Sequence, residues 1–190
     1  MKQILILNGS PNGNSGNCAK LITKLEKLLK GTAHVRIVHL AKLKTNKSLV
    51  NDLKKSNGVV FVTGTYWDSW GSPLQAMFED LTDYEGTDVF IGKPCAVFVL
   101  MHSVGGKGIL SRMQGVLSTL GFLIPPMTGM VLSLVSQLAK TNKNSKHQKD
   151  FWDLEDLDTI LGNFVLALDI KMAWQSWPVD RDNFRSVWLK

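Results

Sequence analysis

Short apolar runs alternate along the chain with stretches whose apolar residues recur every three or four positions. Four of the runs, at 2–7, 35–40, 58–63 and 94–101, contain Val, Ile and Leu without alternation and end at turn-forming residues. This pattern predicts strands that are buried on both faces, as in a parallel sheet. The shorter run at 121–125 predicts a fifth strand.

Between these runs, apolar residues recur every three or four positions, which is the spacing of a helix. It predicts helices from about Ser15 to Gly31, over 48–56, from Ser72 through Leu81, from about 106 to 120, and over 154–174. The polar stretch 141–149 predicts a loop. Strands and helices in alternation indicate an α/β fold with a doubly wound five-stranded parallel sheet, strand order 2-1-3-4-5, and helices on both faces. No linker or repeat divides the chain, so residues 1–190 are expected to form a single domain.

The composition is that of an ordinary globular protein, with 44% hydrophobic and 20% charged residues. No apolar run approaches the ~20 residues that cross a bilayer, and the N-terminus lacks the features of a signal peptide, so membrane insertion is not expected. The two cysteines, Cys18 and Cys95, form neither a disulfide framework nor a metal-ligand set. We therefore expect a cytoplasmic protein without a metal site.

The net charge of +6 is unevenly distributed. Residues 20–55 contain ten Lys or Arg against two acids, whereas residues 151–190 contain seven acids against four Lys or Arg. Lysines at 20, 24, 27 and 30 fall on one helical face, which is typical of a solvated surface. No nucleic-acid-binding module is visible, so nucleic acid is not expected as a partner. The basic region can still attract a small molecule that carries phosphate.

Unusual residues concentrate in the loops after the first, third and fourth strands, which meet at the ligand-binding edge of such a sheet. The first loop, 9–18, leads directly into a helix, whose N-terminal N–H groups suit a phosphate. Ser10, Ser15 and Asn17 add side-chain donors. The loop is neither a P-loop nor a G-x-G-x-x-G dinucleotide motif. A simple helix cap after a tight turn is the alternative.

The second loop, 64–73, contains Tyr66, Trp67 and Trp70. A flat aromatic ligand can stack on Tyr66 or Trp67; alternatively, the rings cover the local core or form a subunit contact. The third loop, 102–107, is rich in small residues that let the backbone approach a ligand. His102 stands at the end of a strand, where either a functional or a structural role fits.

Together these motifs resemble the flavodoxin-like, NAD(P)H-dependent FMN reductases and quinone reductases. Residues 7–11 with Ser15 and Asn17 are similar to the family's phosphate loop, and 65–67 with 72–74 to its flavin-edge loop. Residues 103–107, Gly121 and 125–126 are similar to its third loop and fifth strand. The resemblance spans about residues 2 to 130. The C-terminal helix and tail at 151–190, with Trp174, Trp177 and Trp188, have no counterpart in it.

The resemblance implies an FMN-binding oxidoreductase that takes hydride from NADPH or NADH and passes electrons to a flavin, a quinone or another small acceptor. The positions that it assigns to the FMN phosphate are Ser10, Ser15, Gly16, Asn17 and Cys18, and Asn12 of the same loop is assigned to the cofactor. Those that it assigns to the pyrimidine and N5 edge are Thr65, Tyr66, Trp67, Asp68 and Ser69. Those that it assigns to the remaining side of the ring are His102, Ser103, Gly105 and Gly106. His102 is also the single candidate for stabilising negative charge on reduced flavin.

Departures from the family pattern carry their own implications. Asn12 and Gly13 stand where the family often has Arg or Lys, so the positive charge for the phosphate is expected from elsewhere. Gly64 replaces a common Pro, and Gln75 and the pair at 79–80 replace residues of the family's oligomer contacts. A homodimer bordering the flavin is still expected, with Trp70, Met77, Phe78 and the tail tryptophans as contact candidates. A flavodoxin-type electron carrier and a flavin-free binding or regulatory protein on the same fold are the alternatives.

Overall fold

The computed structural model describes residues 1–141, 152–182 and 189. Its five parallel strands form one sheet in the order β2-β1-β3-β4-β5, which confirms the predicted fold class and strand order. The strands are β1 (Lys2–Asn8), β2 (Ala33–His39), β3 (Gly58–Gly64), β4 (Cys95–Met101) and β5 (Gly129–Ser133). The order reverses between β1 and β3, so the loops that follow these two strands diverge there and leave a crevice.

Helices connect the strands and cover the sheet. They are α1 (Gly16–Leu29), α2 (Val50–Lys55), α3 (Ser72–Asp80), α4 (Gly106–Leu120), α5 (Leu134–Thr141) and α6 (Leu157–Ala167). The helix predicted over 48–56 is divided into a 3₁₀ turn, Asn46–Leu49, and α2. Pro73 occupies the first turn of α3, where its missing N–H costs no hydrogen bond.

Alternate residues of each strand supply the two apolar layers of the core. On one face, Leu5, Leu7 and Phe61 pack with α3 and α4. On the other face, Ile4 and Ile6 belong to the layer that α1 and α6 cover. Both sets are almost completely buried. The unalternating apolar strands in the sequence therefore reflect a sheet covered on both sides.

The fifth strand lies further along the chain than the sequence pattern predicts. In the predicted segment 121–125, Gly121 ends α4 with a positive φ of 110°, and Leu123 forms only an isolated bridge with Pro94. The two prolines at 125–126 lack the N–H groups that a ladder needs, so pairing stops there. After a turn closed by Thr128, whose hydroxyl donates to the carbonyl of Pro125, the chain pairs with β4 as Gly129–Ser133.

The helices nearest the C-terminus also differ from the prediction. α5 was not predicted; Thr141, expected to begin a loop, is its last residue, and 142–149 lie outside the described residues. α6 ends at Ala167 rather than near 174. The Lys2 ammonium binds the carbonyl of Leu168 at 3.0 Å and the carboxylate of Asp169 at 2.6 Å, which stabilises the helix end.

Beyond α6, the chain crosses the amino-terminal edge of the sheet as an extended segment, residues 169–182, which we call the strap. Trp174 packs over Gly92, and the indole N–H of Trp177 donates to the Glu85 carboxylate at 2.8 Å. Arg181 donates to the carbonyl of Glu85 at 2.6 Å. The strap therefore lies at the opposite edge from the loops that follow β1, β3 and β4.

Close packing of α6 on the sheet depends on Gly58 at the start of β3. A Cβ at Gly58 would lie 2.8 Å from Cζ of Phe164 and still closer to Leu168. Both side chains are buried, so neither can move freely.

We expect Gly58→Ala to lower the free energy of unfolding by about 1–3 kcal/mol, because the new methyl group overpacks the contact with α6. Gly162→Ala is the matched control, since Gly162 lies within α6 but is exposed, with nothing within 4 Å of its missing Cβ. That control is expected to leave stability unchanged or to raise it by up to about 1 kcal/mol. Urea denaturation followed by circular dichroism measures both. A Gly58→Ala protein as stable as the wild type would contradict the proposed packing.

Candidate functional site

The first two predicted loops contact each other at the carboxyl edge of the sheet. The hydroxyls of Ser10 and Tyr66 are 2.9 Å apart, and the N–H of Gly71 donates to the hydroxyl of Thr63 at 3.0 Å. A Cβ at Gly71 would lie 2.1 Å from the carbonyl oxygen of Gly9, so the two backbones touch. This close approach fixes the start of α3 against the first loop.

The second and third loops are joined in the same way. The Asp68 carboxylate lies against Gly105, where a Cβ would fall 2.4 Å from Oδ1, and Arg112 of α4 donates to the carbonyl of Asp68. Gly105 has a φ of 87°, which a side chain would strain. All three predicted loops therefore form one continuous surface at the crevice beside the strand-order reversal.

The first loop is shaped from below by the side chain of Asn8, which is completely buried. Its Oδ1 accepts from the N–H of Ser10 at 3.0 Å, and its Nδ2 donates to the carbonyl of Gly13 at 2.5 Å. The same Nδ2 lies 3.0 Å from Nδ1 of His39, at the end of β2. The bond from the Ser10 N–H identifies the Asn8 oxygen and so fixes the orientation of the carboxamide. The Asn8 Nδ2 is therefore the donor to His39, and His39 Nδ1 is the acceptor.

His39 must be neutral to accept this hydrogen bond. Burial lowers the pKa of His39, and the positive charge of Lys42 lowers this pKa further, although the Gly13 carbonyl acts in the opposite direction. Asn8 and His39 were not predicted as site residues. The sequence did contain one signal, since Asn8 is a polar residue at the end of an otherwise apolar strand. Only the fold shows that His39 stands next to Asn8.

The N-terminus of α1 is open toward the crevice. Ser15 is its N-cap residue, but its hydroxyl donates to the carbonyl of Asn12 and does not cap the helix. Within the described part of the chain, no hydrogen bond satisfies the N–H groups of Gly16 and Asn17 or the carboxamide of Asn17. The first turn contains no acidic residue. These exposed donors have no internal partner and suit an anion, and the Ser15 side chain does not cap them.

Cys18 closes the floor of this loop. Its side chain is buried, and burial raises the pKa of the thiol to about 11, with partial compensation from a hydrogen bond to Ser10. The thiol is therefore protonated at neutral pH and does not act as a nucleophile. The Ser10 hydroxyl also lies 2.9 Å from the Tyr66 hydroxyl, which links the first loop to the second.

The aromatic residues of the second loop have different positions. The Tyr66 ring covers Gly64 and points inward to Ser10, whereas Trp67 is fully exposed at the tip of a tight turn closed by Tyr66 and Ser69. Trp67 and Asp68 both have positive φ angles, 48° and 55°, which non-glycine residues adopt at a cost. Trp70 packs edge-on against Phe78 and belongs to the core margin.

In the third loop, the structure places His102 and Ser103 exposed at the crevice rim, and Gly105 and Gly106 at the start of α4. The carbonyl of His102 accepts from the N–H of Val135 at 2.9 Å and from the Ser133 hydroxyl, which ties the loop to β5 and α5. Thr65 donates through its N–H to Leu100 at 2.9 Å. No cluster of three or more His, Cys, Asp or Glu suited to a metal occurs among the described residues.

The sheet order and the open helix start at the switch point define a doubly wound, flavodoxin-like α/β protein with a candidate anion site at the carboxyl edge of the sheet. Comparison with known families agrees: the model of the NADPH-dependent FMN reductase family matches residues 2–137. The chain belongs to this family. It is accordingly a flavoprotein oxidoreductase that uses FMN, with NAD(P)H as the donor.

Solved structures share the fold at low sequence identity. An apo NADH:FMN oxidoreductase, EMOB, is 17% identical, with 90% of this chain and 92% of that chain covered and a TM-score of 0.69. FerB, an NAD(P)H:acceptor oxidoreductase from Paracoccus denitrificans, is 19% identical. The match covers 88% of this chain and 97% of FerB, with a TM-score of 0.65. RosB is 13% identical. The match covers 88% of this chain and 79% of RosB, with a TM-score of 0.70. No match is found among curated proteins.

We expect stability to depend on the protonation of His39. Because the folded protein lowers its pKa below the ordinary value of 6.5, the unfolded chain takes up a proton first as the pH falls. The free energy of unfolding therefore decreases as the pH falls from 6.5 toward the lower, folded pKa. Urea denaturation at about pH 7.5 and about pH 5.5 brackets this window.

His39→Gln removes this contribution, so the variant is expected to lose less stability than the wild type between the two pH values. His34→Gln is the control, since His34 is exposed on the same strand and forms no contact with the loop. Identical pH dependence in the wild type and His39→Gln would show that His39 does not titrate as the geometry implies.

Proposed function

We propose that this protein catalyses hydride transfer from NAD(P)H to FMN bound at the three-loop crevice and passes the electrons to a small-molecule acceptor such as a flavin or a quinone. The observation that carries the site assignment is the open N-terminus of α1, whose unpaired N–H groups face the crevice beside the strand-order reversal. Such donors suit an anionic group, and phosphate is the anionic group that FMN carries.

The described residues fit FMN. The N–H groups of Gly16 and Asn17 and the carboxamide of Asn17 provide donors for the phosphate, and Asn8 keeps the loop in the required shape. The remaining predicted phosphate positions support these donors: Ser10 and Cys18 form the floor of the loop, Ser15 holds Asn12, and Asn12 lies beside Gly16. When bound, FMN supplies the chemistry: it accepts hydride at N5 and passes electrons on. The protein positions the FMN and tunes its reactivity.

The other two loops provide the walls. The residues proposed for the pyrimidine and N5 edge are Thr65, Tyr66, Trp67, Asp68 and Ser69, of which Tyr66 is braced by Ser10 and Asp68 by Arg112. His102, Ser103, Gly105 and Gly106 are proposed for the remaining side. The exposed imidazole of His102 is proposed to stabilise negative charge on the reduced ring.

The two alternatives remain distinguishable in solution. A flavodoxin-type carrier binds FMN without oxidising NAD(P)H, and a flavin-free protein binds neither. The sequence pI of about 9.3 favours an enzyme over a carrier, since flavodoxin-type carriers tend to be acidic. We propose a cytoplasmic location because both cysteines are unpaired, as in reducing compartments. No helix among the described residues is long and apolar enough to span a membrane.

We also propose one domain over residues 1–190 and a homodimer whose interface borders the flavin. The predicted contact residues Met77 and Phe78 are buried in the chain's own core, so they cannot form the interface, and Trp188 lies outside the described residues. The face of α5 offers a better candidate. Leu134, Val135 and Leu138 are exposed there, Leu138 by 61%, and the N–H of Val135 binds the third loop directly.

The first test of this function is the affinity for flavins. We expect the protein to bind FMN about tenfold or more tightly than riboflavin, because charge-assisted bonds to the phosphate are lost with riboflavin. Quenching of flavin fluorescence measures both affinities. Anaerobic mixing of the FMN-loaded protein with NADPH and with NADH then follows flavin bleaching. Equal affinity for both flavins would overturn the phosphate assignment, and FMN binding without bleaching would favour the electron carrier.

The dimer is tested by light scattering at micromolar concentration. We expect a mass of about 42 kDa, twice the 21.1 kDa of one chain. Leu138→Glu places a charge on the α5 face and is expected to shift the protein toward the monomer without loss of helical signal. Leu28→Glu, at an exposed position on α1, serves as the control. A wild-type protein of one-chain mass with full NAD(P)H turnover would rule out the dimer.

A further inference from the structure

The first loop contains no positive charge of its own. Residues 9–18 include neither Lys nor Arg, and the N-terminal end of a helix supplies only a partial charge. A phosphate monoester is close to a dianion at neutral pH, and a full positive charge nearby strengthens its binding. A full positive charge at this loop can therefore come only from another element of the fold.

Lys42 is that cation. It ends the 3₁₀ turn Leu40–Lys42, which directly follows β2, the strand beside β1 in the sheet. Its side chain lies over the first loop: Cε is 3.5 Å and Cγ 3.7 Å from the place where a Cβ on Gly13 would be. Gly13 has a φ of 58° and no side chain, so nothing separates the lysine stem from the loop backbone.

The surroundings leave the Lys42 charge available. None of the ion pairs among the described residues includes Lys42. Asp52, the one acid between β2 and β3 in the sequence, is held by Arg36 at 2.7 Å. The charge of Lys42 also lowers the pKa of His39, which stands at the end of β2 beside the loop.

We propose that Lys42 supplies the positive charge of the phosphate subsite and is a specificity-determining residue for a phosphate monoester dianion. The proposal rests on the proposed function and deepens it, since it assigns the phosphate a counter-charge from a different element of the fold. Lys42 contributes by charge rather than by a fixed hydrogen bond, because its exposed, flexible side chain covers the loop from outside. The two sources of this phosphate chemistry are the 5′-phosphate of FMN and the 2′-phosphate of NADPH.

The test compares the wild type with Lys42→Ala, Lys42→Arg and Lys44→Ala in the full chain. Lys44→Ala removes an equal charge two residues further along, where no contact with the loop exists. For Lys42→Ala we expect FMN affinity to fall about two- to tenfold while riboflavin affinity stays unchanged. Lys42→Arg restores FMN affinity, and Lys44→Ala leaves it as in the wild type. Added salt weakens FMN binding more in the wild type than in Lys42→Ala.

Steady-state kinetics with the two nucleotides separate the phosphate sources. If Lys42 acts on the nucleotide, Lys42→Ala raises KM for NADPH but not for NADH, with unchanged FMN affinity. If neither FMN affinity nor the KM for NADPH changes while the wild type still prefers FMN to riboflavin, the role of Lys42 is overturned and the proposed function stands. If the wild type itself shows no preference for FMN over riboflavin or for NADPH over NADH, both the phosphate subsite and the role of Lys42 are overturned. Circular dichroism checks that every variant is folded.

Discussion

Asn8 ends the central strand β1 with a polar side chain at a position whose neighbours are apolar and buried. A carboxamide in such surroundings is costly unless its donors and acceptor are paired. Here it binds Ser10 and Gly13 of the first loop and His39 at the end of the neighbouring strand β2. The requirement to satisfy one buried amide thus fixes the first loop in an open arch, and within the described residues the N–H groups of Gly16 and Asn17 have no internal partner.

The second and third loops can pack closely around this arch because glycines stand at the points of contact. Gly71 touches the carbonyl of Gly9, and Gly105 makes room for the carboxylate of Asp68. The resulting surface is continuous although its residues come from three separate connections. Among the described residues of these three loops, the non-glycine residues with positive φ angles are the adjacent pair Trp67 and Asp68. A turn stabilised by Ser69 and Arg112 maintains that conformation and exposes the indole of Trp67 beside the crevice.

Much of this fold was predictable from the sequence, because apolar strands and amphipathic helices are local patterns. The strand order and the meeting of the three loops followed from the topology that parallel strands permit. The fifth strand was misplaced because Phe122 and Leu123 are apolar, whereas pairing depends on N–H groups that the prolines at 125–126 lack. The contacts of Asn8 with His39 and of Lys42 with Gly13 join positions about thirty residues apart, so no local pattern contains them.

Lys42 and the open start of α1 lie together at the carboxyl edge of the sheet, where the crevice is. An anionic cofactor or nucleotide therefore meets a positive charge as it approaches the crevice. Because exposed charges are screened over about 10 Å at ordinary ionic strength, the Lys42 charge acts only at short range. In the proposed site, specificity for phosphate therefore depends both on the N–H donors that the Asn8 amide keeps open and on the Lys42 charge beside them.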